Sequence, residues 1–375
     1  MRTILILGDG AEERAWAEWL RGRADLTPIV ASDPDEGLST PNLDAAIVGG
    51  PADARGEGLR RAAADGLAIL ALHPPGPNAD AYYHVSMSRR ETGAVIVPDM
   101  PLRLHPGVAR LREAIANEEL GAFRSLRLAV PASPKEDLTR VGFARVVDVV
   151  RALLGEIQTV TASGDPPGAA PEHELIVQLR DEQGRRAEVR VSTEPADAAL
   201  LVVVGSHGSL ALEYDPSFES PARLIRRLTA SGEDQIECLD AWDPRAAIFG
   251  ALGAARGSAP SPSLLDGARA MELAGAVVQS LRRGRTIDLH HERIDERTNF
   301  RAVMTSLGCL MLVGFLVVFS ASLAGRALGF DWAVYLAYLI PPGLVAFVVV
   351  QLLQLGIRSG ETEREASTAK PSGGG

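Results

Sequence analysis

Residues 4–13 of the chain read ILILGDGAEE, an apolar run that ends in a glycine turn and continues into acidic residues. Four consecutive apolar residues that end at a glycine predict a short buried strand. Alanine, tryptophan and leucine residues then recur at helical spacing up to Leu20, which predicts a helix after the turn. A strand, a glycine turn and a helix in this order are typical of a βαβ unit, so the stretch predicts a parallel sheet covered by helices.

The same alternation continues through the first third of the chain. Apolar runs at 28–33, 44–50 and 67–72 predict further strands, and a helix is predicted at 54–65. We therefore predict an α/β fold in which residues 1–121 form a Rossmann-like domain.

The glycine turn is suited to binding a phosphate group. Gly8 and Gly10 would let backbone amides and the start of the helix approach a pyrophosphate closely. Asp33 ends the second predicted strand, where an acidic residue binds the hydroxyls of a cofactor ribose. Glu13 replaces the third glycine of the usual G-x-G-x-x-G pattern, and its charge would repel a pyrophosphate if it pointed inward. A tight turn without a ligand is therefore the alternative to a dinucleotide site.

The middle of the chain contains a second set of strand-like segments. Apolar and polar residues alternate there, as in strands that have one buried and one solvent-exposed face. Residues 181–184 read DEQG, a turn sequence that predicts a hairpin. Strands are predicted at 157–162, 174–180, 187–192, 198–204 and 209–214.

Charge and cysteine content exclude several classes of function. The formal net charge is −10, so the chain lacks the excess of basic residues that non-specific nucleic-acid binding requires. Cys238 and Cys309 are the only cysteines, and they form neither a disulfide framework nor a metal-binding pattern. We expect both to be buried thiols and predict no metal site.

Two long apolar runs lie towards the end of the sequence. Residues 302–323 and 332–355 contain no charged residue, and each exceeds the roughly 20 residues that cross about 30 Å of hydrocarbon. The linker between them is short, so we predict an antiparallel transmembrane hairpin in the lipid bilayer. Basic residues flank the hairpin, among them Arg301 and Arg358, which predicts a cytoplasmic location for the soluble part and both termini. The polar tail at 360–375 is predicted to be disordered.

Three further segments, taken in chain order, resemble the Gfo/Idh/MocA family of oxidoreductases. Residues 98–106 read PDMPLRLHP and are similar to the R-x-H-P helix start of that family. Residues 120–127 read LGAFRSLR and are similar to the stretch that leads into the second domain. Residues 264–289 resemble the closing helix and end in SLRRGRTIDL, similar to the family pattern S-x-x-x-G-R-x-I-x-L. With the glycine turn, the resemblance covers about residues 1–290.

The resemblance implies a fold and an activity. It implies a Rossmann domain at 1–121 that binds NAD or NADP, followed at 122–290 by an α+β domain with an open, mostly antiparallel sheet. It also implies oxidation or reduction of a small polar substrate, usually a sugar or cyclitol, with a lysine or histidine moving the proton. Asp33 favours NAD, because a carboxylate would repel the 2′-phosphate of NADP.

The family's catalytic positions are altered in this sequence. The lysine that follows the fourth strand corresponds to His73, which is either an acid/base group or a loop histidine before a proline. On the helix that carries the pattern D-x-G-x-H-x-x-D, Asp148 is kept and Arg145 replaces the histidine. An arginine does not donate protons at ordinary pH, so Arg145 would either clamp an anionic group or pair with Asp148 three residues further on, and we favour the ion pair. The resemblance thus implies His73 and Asp148 as candidate catalytic residues.

Two hypotheses for the function follow. One is a membrane-tethered oxidoreductase that uses His73 and His105. The other is a catalytically inactive relative that serves as a binding or scaffold module at the cytoplasmic face of the membrane. A lipid bilayer and a small polar substrate are the expected partners, nucleic acid is not expected, and a homo-oligomer is left open.

Overall fold

The apolar run at the start of the chain forms an interior strand of a parallel sheet in the computed structural model. The structure describes residues 2–165, 170–229, 234–255 and 259–289, together with residues 320 and 324. Five described strands form this first sheet in the order β2-β1-β3-β4-β5, and every neighbouring pair is parallel. They are β1 (Arg2–Leu7), β2 (Leu26–Ala31), β3 (Ala45–Val48), β4 (Ala68–Ala71) and β5 (Ile96–Pro98).

Helices cover both faces of the first sheet, as the alternating pattern predicts. Trp16 and Leu20 of the first helix are buried in the same apolar cluster as Ile4 and Ile6 of β1. The Rossmann-like prediction is therefore confirmed at the level of the fold. The helices are α1 (Ala11–Arg21), α2 (Pro34–Leu38), α3 (Ala52–Ala64), α4 (Asp80–Thr92) and α5 (Pro106–Ala116), with a single 3₁₀ turn at Pro101–Leu104.

A second, mixed sheet follows. Nine described strands form it in the order β13-β12-β11-β10-β6-β9-β8-β7-β14, and β6 with β9 is the one parallel pair among them. The mostly antiparallel sheet that the resemblance implies is thus present. The strands are β6 (Phe123–Pro131), β7 (Ile157–Asp165), β8 (Glu174–Asp181), β9 (Arg186–Ser192), β10 (Ala199–Gly205), β11 (Gly208–Tyr214), β12 (Arg223–Leu228), β13 (Asp234–Cys238) and β14 (Ile287–Asp288).

Three further described helices follow α5 in the chain. They are α6 (Ala144–Leu154), which a π-helical turn at Leu138–Phe143 precedes, α7 (Pro244–Ala254) and α8 (Leu264–Arg283). Helix α8 contacts β7 of the second sheet and also α4 and β5 of the first. Helix α7 returns to the first sheet, where Ile248 and Leu252 pack in the cluster that contains Trp16. Residues 1–290 accordingly form one unit.

Two local predictions have opposite outcomes. The hairpin between β8 and β9 is confirmed, and Gly184 has a φ of 76° that favours glycine. The predicted burial of Cys238 is wrong, since its thiol lies on an exposed strand at the edge of the sheet. Apart from residue 320, the helices predicted at 302–323 and 332–355, the tail at 360–375 and Cys309 lie outside the described residues. Within the described part of the chain, no helix is both long and apolar enough to cross a bilayer.

Candidate active site

The glycine turn joins β1 to α1 as predicted. Gly8 has a φ of 109°, a conformation that side-chain-bearing residues rarely adopt. Its Cα also lies against the backbone of Gly50, so that a Cβ at this position would collide with it. Gly10 is the N-cap of α1. The backbone therefore has the close strand-to-helix turn that a pyrophosphate site requires.

Glu13 occupies the space that this turn leaves open. Its side chain is only 3% exposed, and one carboxylate oxygen accepts a hydrogen bond of 2.6 Å from the backbone N–H of Gly50. Its two oxygens lie so close to Gly10 and Gly49 that a Cβ on either glycine would collide with them. The side chain that replaces the third glycine thus points inward, between the ends of β1 and β3.

Asp33 lies at the end of β2, where the sequence places it. Its side chain is exposed and caps α2, accepting hydrogen bonds from the backbone N–H groups of Asp35 (2.7 Å) and Glu36 (3.1 Å). A carboxylate at this position is compatible with ribose binding, and that role stays a prediction.

His73 is buried beneath the cleft between the two sheets. Nε2 lies 3.1 Å from the carbonyl oxygen of Ala144, which can only accept, so Nε2 carries the ring hydrogen. Nδ1 then accepts a hydrogen bond of 2.9 Å from the hydroxyl of Tyr82. Burial lowers the pKa of His73 to about 3, and the positive charges of Arg145 and Arg55 contribute to this shift. The imidazole is therefore neutral near pH 7 with both nitrogens bonded, an arrangement typical of a positioning residue.

Asp148 belongs to a buried cluster of ion pairs. It accepts two hydrogen bonds from Arg103, at 2.7 and 2.6 Å, and one of 3.3 Å from Arg151. Both arginines also contact Asp266, the residue that caps α8 together with Ser263. Arg103 and Asp266 come from the family-like segments at 98–106 and 264–289, and Asp148 comes from the helix with the altered catalytic pattern, so these three parts of the chain meet in one cluster.

The predicted pair between Arg145 and Asp148 is wrong. Asp148 points into the buried cluster, whereas Arg145, at the start of α6, binds the carboxylates of Glu12 and Glu136. Its Nε also lies 3.5 Å from the carbonyl oxygen of His73. Arg145 therefore connects the glycine turn to the second domain.

These contacts surround a cleft of about 350 Å³ at the carboxyl ends of β4 and β5. Such an edge is the usual ligand-binding position in an open parallel sheet. The polar part of its lining consists of Glu12, His73, Asp99, Glu136 and Arg145, and Tyr214 and Phe218 close one end.

Asp99 is a site residue that the sequence reasoning missed. It directly follows β5, is half-buried, and accepts a hydrogen bond of 3.4 Å from the indole N–H of Trp16. Burial, together with the charge of Glu12, raises the pKa of its carboxyl to about 6. An acidic residue directly after a strand was the available signal, but β5 has only three residues and gives almost no periodic pattern.

His105 lies behind the aromatic end of the cleft. Its Nδ1 accepts a hydrogen bond of 3.0 Å from the backbone N–H of Gly107 and so caps α5. The ring meets Trp242 edge-on at 4.7 Å, and burial lowers its pKa to about 4. Phe218 and Tyr214, which line the cleft, also contact this ring.

Comparison with solved structures finds the same fold in several oxidoreductases. A myo-inositol dehydrogenase from Corynebacterium glutamicum matches with a TM-score of 0.62 and 20% identity over 77% of this chain and 99% of its own. An aldose-aldose oxidoreductase from Caulobacter crescentus matches with a TM-score of 0.65 and 16% identity over 77% and 99%.

An oxidoreductase from Agrobacterium radiobacter, solved with NAD+, L-tartaric acid and magnesium, matches with a TM-score of 0.63 and 13% identity over 76% and 98%. No protein-family model matches the sequence, and neither does a curated relative. At these identities the likeness establishes the fold.

Proposed function

We propose that this chain is an NAD(P)-dependent oxidoreductase of Gfo/Idh/MocA type that acts on a small hydroxyl-bearing substrate such as a sugar or cyclitol. The observation that carries the proposal is the polar cleft at the carboxyl edge of the parallel sheet, next to the glycine turn. The structural neighbours, two of which are described as acting on myo-inositol or aldoses, support the same substrate class.

The residues of the turn fit a dinucleotide with one exception. Gly8 and Gly10 form the tight turn, α1 directs its N-terminus towards it, and Asp33 lies at the end of β2. These features suit a pyrophosphate and a ribose. The exception is Glu13, whose carboxylate occupies the turn. The Glu13 side chain is flexible, so its carboxylate can rotate out of the turn without a change in the backbone.

Asp99 is the best-placed group to move a proton. When bound, a nicotinamide supplies the hydride acceptor for oxidation of an alcohol. The hydroxyl of the substrate must lose a proton in the same reaction, and the Asp99 carboxylate faces the cleft with a pKa of about 6. Asp99 is therefore ionised at neutral pH, and its pKa is close to the value that suits a general base. We assign positioning roles to His73 and Asp148, since the polar atoms of both bind other parts of the protein.

We also propose that the enzyme is located at a membrane, on the basis of the sequence of its C-terminal region. The uncharged runs at 302–323 and 332–355, with basic residues at their outer ends, support a transmembrane hairpin that holds the enzyme at the cytoplasmic face of a membrane. A substrate that arises at or near that surface would then be within reach.

A second function is favoured by specific substitutions. Glu13 in the turn and Arg145 in place of the family's histidine both suit a binding module without redox activity. Titration of the full chain with NADH and NADPH, followed by turnover assays with sugars and cyclitols, separates the two functions. Binding with turnover is the expected result, binding without turnover supports the module, and no binding up to millimolar dinucleotide rejects the oxidoreductase.

A further inference from the structure

We infer that Glu13 controls access of a dinucleotide to this protein, because its carboxylate occupies the position of the incoming pyrophosphate and must rotate out before one binds. The inference rests on the proposed function. Glu13 lies in the turn itself, so its effect can be tested by measuring dinucleotide binding without an activity assay.

The first argument is the placement of the Glu13 carboxylate. It is buried and lies between the glycines that end β1 and β3, where it accepts the N–H of Gly50 at 2.6 Å. Gly10 and Gly49 have no side chain, and the space next to them is filled by this carboxylate. In a site made for close approach of a phosphate, the absence of a Cβ serves the ligand. Here the absence of a Cβ makes room for the side chain of Glu13 instead.

The second argument is the way the structure holds Gly50. Its N–H donates to Glu13, while its carbonyl oxygen accepts from Arg55 at 3.1 and 2.8 Å. Arg55 also donates to the carbonyl oxygen of Pro74 at 2.7 Å, which joins the loops that follow β3 and β4. The Gly50 peptide is thus held at both its N–H and its carbonyl oxygen. The guanidinium of Arg55 is a nearby positive charge that offsets the cost of burying the Glu13 carboxylate.

The third argument is electrostatic. The N-terminus of a helix favours one anion, and Glu13 lies in the first turn of α1. A pyrophosphate would compete for the same place and would be repelled by the carboxylate that already lies there. The other acidic residues of the turn are arranged differently, because Asp9 is exposed and Glu12 binds Arg145. Glu13 is therefore the residue whose removal opens the site.

The test compares dinucleotide affinity across matched variants of the full chain in detergent. Glu13→Ala removes the carboxylate, and Glu13→Gln keeps its size without the charge. Glu18→Ala makes the same change of net charge at an exposed position of the same helix. Affinity for NADH and NADPH is measured from nicotinamide fluorescence, inorganic pyrophosphate serves as the competitor, and the melting temperature of each variant reports folding.

We expect Glu13→Ala to bind at least about tenfold more tightly than the wild type, with Glu13→Gln between the two and Glu18→Ala unchanged. Pyrophosphate should displace the dinucleotide from Glu13→Ala. Equal, measurable affinity in the wild type and Glu13→Ala would overturn the inference and leave the proposed function intact. If none of the proteins binds a dinucleotide, both are rejected. If Glu13→Ala fails to fold, Glu13→Gln decides, and its failure to bind more tightly than the wild type counts against the inference.

Discussion

At the scale of single residues, the raised pKa of the Asp99 carboxyl predicts an effect on stability. Its pKa is raised from 3.8 to about 6 in the folded protein, mainly by burial. The folded state therefore binds a proton more tightly than the unfolded state, so ionisation of Asp99 destabilises the fold as the pH rises from about 4 to about 6. Above that range Asp99 is ionised in both the folded and the unfolded state, so this loss of stability no longer increases with pH.

Replacement of Asp99 by Asn is accordingly expected to stabilise the protein. We predict a gain of roughly 1–2 kcal/mol at about pH 8 that disappears near pH 4, since one pKa unit corresponds to about 1.4 kcal/mol and partial exposure reduces the effect. Urea unfolding of both proteins at the two pH values measures it. The same variant should lose turnover while keeping its affinity for NADH. A variant that is less stable than the wild type at the higher pH would argue against a costly Asp99 charge.

Asp33 offers a second prediction at this scale. Its carboxylate caps α2, and Ser is an equally good N-cap, so Asp33→Ser should preserve the helix while removing the charge. In a Glu13→Ala background we expect the preference for NADH over NADPH to fall several-fold, because the 2′-phosphate no longer meets a carboxylate. Fluorescence titration with both cofactors measures the ratio. An unchanged ratio would show that Asp33 does not face the ribose.

At the scale of secondary-structure elements, the buried ion-pair cluster joins the 3₁₀ turn, α6 and α8. Arg103 is 12% exposed and contacts both Asp148 and Asp266. Arg103→Ala should cost about 3–5 kcal/mol, because it removes one partner from the buried carboxylate of Asp148 and from the partly buried carboxylate of Asp266. Arg110 is 32% exposed and pairs with Glu119, so Arg110→Ala is a matched control that should cost at most about 1 kcal/mol. Denaturant unfolding compares the two variants, and similar losses would contradict a stabilising role for the cluster.

The same elements show what the sequence can and cannot predict. The strand, turn and helix at residues 4–20 were predictable, because apolar spacing alone specifies them. The partners of Arg145 and Asp148 were not. Helical spacing places these two residues within reach of each other, yet Arg103 lies 45 positions from Asp148 and Glu12 lies 133 positions from Arg145. Contacts of that kind depend on how the sheets pack, which local pattern does not encode.

At the scale of the whole molecule, the proposed membrane hairpin can be tested by fractionation. We predict that the full chain fractionates with membranes and remains there after an alkaline carbonate wash. A lysine near the middle of each run, Leu312→Lys together with Leu344→Lys, should release it, since each costs about 2.5–3.5 kcal/mol at the centre of a bilayer. Matched surface substitutions in the first 290 residues should have no such effect. Recovery of the unaltered chain in the soluble fraction would disprove the anchor.

Both proposals depend on a dinucleotide site in this fold that Glu13 occupies. The most direct measurement is a nicotinamide-fluorescence titration of the full chain that carries Glu13→Ala, with NADH as the ligand. We predict saturable binding that inorganic pyrophosphate reverses and that is tighter than in the wild type. A well-folded Glu13→Ala protein that binds no NADH up to millimolar concentration would contradict it.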